Sequence, residues 1–89
     1  MEKRIGSALI LIQDISEISR LNDILSRHSQ IIIGRQGIPL REKKISIISL
    51  VLEGTTDVIG ALTGQIGRLT GIEIKSVLTR YKEQSDAEI

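Results

Sequence analysis

The sequence predicts an α+β fold in which a four-stranded antiparallel sheet carries two helices on one face, in the order βαββαβ. Three observations lead to it. Four β-branched apolar runs, at 5–12, 31–33, 45–52 and 72–79, have the composition of strands. Two stretches between them repeat apolar residues at the spacing of an amphipathic helix. Capping residues, glycines and a single proline fall at the junctions, where turns are needed.

The first run, Ile5 to Ile12, is bounded by charge and reads as a strand. Asp14 followed by Glu17 has the spacing of a capping box. Beyond it Ile18, Leu21, Leu25 and His28 share one helical face, and Glu17, Arg20, Asn22, Asp23 and Arg27 take the other, which predicts a helix over 15–28. Ile31 to Ile33 reads as a short second strand, and Gly34, Gly37 and Pro39 as a loop. Arg41 to Lys44 lead into Ile45–Leu52, the strongest strand in the chain. Thr55, Thr56 and Asp57 start a second helix, whose apolar stripe is Ile59, Leu62, Ile66 and Leu69 and whose stop is Gly71. Ile72 to Thr79 is the last strand. A single domain is expected over 1–81, with a frayed polar tail at 82–89.

This order matches the ferredoxin-like split βαβ arrangement, in which right-handed crossovers place the first and third strands at the centre. Those two strands are apolar on both faces. Ile45, Ile47 and Val51 point one way and Ile48, Leu50 and Leu52 the other, and Leu9 and Leu11 oppose Ala8, Ile10 and Ile12. Two helices cover one face only. The uncovered face exceeds the apolar patch that soluble monomers carry, so a homodimer or homotetramer is expected, with Ile45 and Ile47 in the contact.

Composition agrees with assembly. Isoleucine occurs 18 times, leucine 10 and valine 3, while Tyr81 is the sole aromatic and cysteine is absent. A chain of this length buries only about 60–65% of its unfolded surface, and it has neither disulfides nor a Cys/His metal set to compensate. With 12 basic against 11 acidic side chains, the net charge of +1 lacks the footprint of a nucleic-acid binder, and one tyrosine makes no stacking platform. The apolar run Ala8–Ile12 is too short for a signal segment or a membrane span, which predicts a cytoplasmic location and no membrane contact. No cofactor is expected.

The second helix carries Gly60, Gly64, Gly67 and Gly71, about 150° from its apolar stripe by helical arithmetic. Interior helical glycine is costly, so a regular stripe of it points to close approach by another subunit. The alternative is a tolerated weakness on a solvated face. Arg35 and Arg41, set among glycines, are candidates to hold a carboxylate or phosphate; a solvated hairpin whose charges deter edge pairing explains them more simply. Thr55 and Thr56, ahead of a helix, are candidates for a small anion, and capping explains them as well. There is no Gly-x-Gly-x-x-Gly, no P-loop and no Gly-x-Ser-x-Gly, and His28 has no second His or Cys to join it. No catalytic constellation is present, so an enzyme is not expected.

The run Gly34-Arg-Gln-Gly-Ile-Pro-Leu-Arg-Glu42, then Ile45–Leu52, then Asp57-Val-Ile-Gly-Ala-Leu-Thr-Gly-Gln-Ile-Gly-Arg-Leu-Thr-Gly-Ile-Glu-Ile-Lys75, resembles the iron-only hydrogenase system regulator family. The resemblance covers about residues 3–80. It implies an ACT-like fold, similar to the C-terminal domain of the nickel-responsive repressor. It also implies a cytoplasmic regulator in an iron-only hydrogenase maturation system, assembled as dimers or tetramers, with a small effector or a maturation protein as partner. The relatives' nickel ligands are His and Cys in this fold; this chain has no Cys, and His28 lies in a helix. The ACT-like module uses the whole chain, so direct transcriptional repression requires a partner subunit or an unfamiliar surface. A second reading is an amino-acid-sensing ACT-type regulatory subunit of a biosynthetic enzyme. Such domains present a glycine between first strand and first helix, where this chain has Gln13-Asp-Ile-Ser16.

Overall fold

The computed structural model describes residues 2–83. Six main elements follow in the expected order: β1 (Lys3–Ile12), α1 (Ile18–Arg27), β2 (Ile32–Leu40), β3 (Ile45–Gly54), α2 (Thr56–Gly67) and β4 (Ile72–Glu83). Short 3₁₀ turns at Ile15–Glu17, Ser29–Ile31 and Arg41–Lys43 link them. The sheet is antiparallel throughout, in the order β2-β3-β1-β4. The fold is thus α+β and ferredoxin-like, with β1 and β3 central.

Alternation along the central strands places the core. Ala8, Ile10 and Ile12 of β1 and Ile48, Leu50 and Leu52 of β3 are buried beneath the helices. Leu21, Ile24 and Leu25 of α1 and Ile59, Leu62 and Ile66 of α2 meet them from above. Every buried residue with a large side chain is aliphatic. Burial of this kind is the main favourable term holding the layers together.

Among the boundaries that differ from the sequence-based expectation, three have a clear physical reason. The segment Gly34–Pro39 is strand, not loop: β2 runs unbroken to Leu40, with a register shift between Ile32 and Gly34. β2 is an edge strand, the place in a sheet where a proline is tolerated. β4 continues past Thr79 to Glu83, so Lys82 and Glu83, expected to fray, are paired with Arg4 and Lys3. The remainder of the expected tail, 84–89, lies outside the described residues. Finally α2 ends at Gly67, not at Gly71. Its last turn tightens through Arg68 N–H to the Gln65 carbonyl and Leu69 N–H to the Ile66 carbonyl. Gly71, at φ 74°, turns the chain into β4.

The capping box at the first helix is half present. Asp14 caps the 3₁₀ turn, accepting from the Ser16 N–H at 3.0 Å and the Ser16 hydroxyl at 2.7 Å. Glu17 does not complete the box: its carboxylate turns toward Arg20, with Oε1 3.7 Å from Nη1. The helix that follows is therefore α-helical only from Ile18. Its C-terminal His28 places Nδ1 2.9 Å from the Ile24 carbonyl and serves as a cap.

Candidate functional site

The residues expected to bind a ligand do not converge. Arg35 pairs in register with Leu50 on the helix side of β2, and its guanidinium donates to Asn22 Oδ1 of α1 at 3.3 Å. Arg41 lies in the 3₁₀ turn after β2, exposed. Thr55 and Thr56 lie at the other end of β3, which at ten residues separates them from Arg41 by about 30 Å. Thr55 Oγ1 accepts from the Val58 N–H at 3.3 Å, the capping role. Each group lines its own recess. Arg41 shares one of about 530 Å³ with Lys44, Asp14, Ile15, Pro39 and Ile45. Thr55 and Thr56 share one of about 240 Å³ with Arg4, Asp57 and Lys82.

The first recess joins two cations to an apolar wall. Lys44 adopts the left-handed conformation at φ 57°, and Ile15 is 71% exposed above Pro39 and Ile45. Asp14 also lines this recess. Its bonds from the Ser16 hydroxyl and the Ser16 N–H hold its carboxyl below the ordinary aspartate range. Among the described residues no group of three His, Asp or Glu side chains is placed to hold a metal ion.

The residues expected at an interface fall on two surfaces. Ile45 and Ile47 lie half-buried on the sheet face away from the helices. There the register sets Ile38, Ile47 and Leu11 side by side across three strands, and Val51, Ser7 and Val77 in a second row. Leu9, Ile38, Val51 and Val77 are 41–64% exposed. Gly60, Gly64 and Gly67 are exposed on α2, on the opposite side of the layer.

Two features were not singled out from the sequence. Arg4 fastens the far end of the sheet: its Nη2 donates to the Thr79 carbonyl at 2.8 Å and its Nε to the Tyr81 carbonyl at 3.2 Å. The recess around Arg41 depends on Ile15 and Pro39, which only the tertiary fold brings to the same place. A charged residue near each chain end and an unusually exposed isoleucine are the sole sequence signals for them.

Residues 4–76 match the family described as "TM1266-like: Iron-only hydrogenase system regulator, putative". The chain belongs to this family. The regulator family's fold is also that of a solved relative, the uncharacterized protein TM1266 from Thermotoga maritima, at 37% identity and a TM-score of 0.83. That match covers 88% of this chain and 99% of the other. More distant likenesses are to two further proteins. One is CPII, a nitrogen regulatory PII-like protein from Thiomonas intermedia K12, at 10% identity and TM-score 0.49, covering 91% of this chain and 96% of that one. The other is the divalent ion tolerance protein CutA1 from Ehrlichia chaffeensis, at 17% identity and TM-score 0.46, covering 98% and 90%. A search of curated proteins returns no match. Among the described residues no helix is long and apolar enough to cross a membrane.

Proposed function

We propose that this chain is a non-enzymatic regulatory module of an iron-only hydrogenase system, acting in the cytoplasm as a homo-oligomer built through its open sheet face. The observation that carries this reading is the apolar run Ile38, Ile47, Leu11 and Leu9, continued by Val51 and Val77, on a face that none of the described elements covers. Leaving such a run in water is unfavourable, and a second copy of the same face removes it from water at both partners at once. Assembly is then the folded state's way of completing its core. Signalling in the hydrogenase system follows from the assembled module taking a small effector or a maturation protein. The recess holding Arg41 and Lys44 beside Ile15 offers cationic and apolar groups to such an effector.

Native mass spectrometry and sedimentation of the purified protein at micromolar concentration test the reading. An oligomer is expected, and Leu9→Glu, which buries a charge in each contact, is expected to lower the mass while the far-UV spectrum is retained. A monomer in the unmodified protein, or an unchanged mass in Leu9→Glu, overturns it.

A further inference from the structure

We propose that the outer face of α2 is a second self-association surface, on which two copies pack these helices antiparallel about a two-fold axis and join Asp57 of each to Arg68 of the other. This inference shares with the preceding section only the choice of a second copy as occupant.

The two helices differ on their outer faces. α1 presents Arg20, Asn22, Asp23 and Arg27 to water, as a solvated helix does. α2 presents Val58, Gly60, Ala61, Gly64 and Gly67, with no charged residue between Asp57 and Arg68. Val58 is 39% exposed. Packing within the chain does not call for these glycines: a Cβ at Gly60 or Gly64 would meet nothing within 4 Å, and one at Gly67 would make only an ordinary contact with Ile74 Cγ2 at 3.8 Å. Among the described residues the only ion pair is Arg20 with Glu17, so neither Asp57 nor Arg68 forms an ion pair with another described residue.

The positions of the two charges choose the occupant. Eleven residues are close to three full turns, so Asp57 and Arg68 lie within roughly 20° of one another around the helix and about 16 Å apart along it. A two-fold axis crossing between residues 62 and 63 exchanges them, so each Asp57 falls opposite an Arg68. The same axis leaves Ala61 and Gly64 straddling it. It sets Gly60 opposite Gly67 on one flank and Val58 beside Gln65 on the other, so the backbones approach closely. A parallel pair would set Asp57 against Asp57 and Arg68 against Arg68, which like-charge repulsion disfavours. The pattern is self-complementary in the antiparallel sense alone, which is the requirement of an isologous contact between identical chains.

Because α2 and the open sheet face lie on opposite sides of the layer, each contact is tested with the other intact or removed. In Leu9→Glu protein, a residual dimer held by α2 is expected at low ionic strength. Asp57→Arg or Arg68→Asp weakens that dimer by about tenfold or more, and the double swap, which restores opposite charges, recovers most of the loss. A Leu9→Glu protein that is wholly monomeric, or a double swap no tighter than the single ones, overturns the α2 contact while leaving the sheet contact standing. The unmodified background gives an independent check, because the chain has no cysteine. Gly60→Cys and Gly67→Cys chains mixed in equal amounts are expected to cross-link to each other on mild oxidation. Gly60→Cys mixed with Thr79→Cys is not, and failure of the first pair or equal yield from both overturns the proposal.

Discussion

Gly71 and Asp14 meet so closely that the Asp14 side chain already occupies the space a Cβ at position 71 would need, while the Gly71 carbonyl accepts from the Gln13 N–H at 2.8 Å. The contact ties the exit of β1 to the entry of β4. It holds in place the loop from which the first 3₁₀ turn starts. Gly71→Ala adds both a left-handed backbone penalty and a steric conflict, so a loss of at least about 2 kcal/mol is expected. In a domain of this size that lowers Tm by roughly 10 °C. An unchanged Tm would mean the loop rearranges freely, and the tie between β1 and β4 would be without structural weight.

Asp14 makes a pH-dependent prediction. The Ser16 hydroxyl, more than the Ser16 N–H, holds its carboxyl below the ordinary value of 3.8. A group depressed in the folded state contributes fully above its unfolded pKa and loses that contribution as pH falls through the folded one. The contribution of the Asp14 cap is thus intact above pH 3.8 and lost below it. Carboxyl NMR is expected to place the Asp14 midpoint below 3.8, and Ser16→Ala to move it upward. A midpoint that ignores Ser16→Ala contradicts the assignment.

Two substitutions grade the fold's energetics. Leu50 is fully buried on β3 between the sheet centre and the helices. Leu50→Ala removes packed volume there and is expected to cost about 2–5 kcal/mol, a large share of a small domain's stability. Thr55→Ala removes a single cap bond at the start of α2 and is expected to cost about 1 kcal/mol. Denaturant melts of both variants check the order; a Thr55 loss equal to that of Leu50 would place the weak point at α2 and not in the core.

Periodicity made most of this fold legible. Ala8, Ile10 and Ile12 against Leu9 and Leu11 carry the strand pattern, and Ile59, Leu62 and Ile66 carry the helical one, because burial enforces both repeats. The length of β2 beyond Ile33 was hidden because Gly34, Gly37 and Pro39 have loop propensities that an edge position tolerates. The end of β4 was hidden because its residues are polar, and pairing with Lys3 and Arg4, nearly eighty residues away, holds it in the sheet. For the site, residue types were legible and convergence was not. Arg35, Arg41, Thr55 and Thr56 each suit an anion, but the antiparallel register sends them to separate places. The open apolar face was the exception, since alternation alone marks which side chains share a face.

The clamp of Arg4 on the Thr79 and Tyr81 carbonyls has a spectroscopic consequence. Tyr81 is the chain's only aromatic residue and is 53% exposed, beside that clamp and remote from the aliphatic interior. Its emission therefore watches one end of the β1–β4 ladder and is blind to the packing of the core. Tyrosine fluorescence and far-UV dichroism part company whenever the ladder unzips from its Arg4 end before the layers separate.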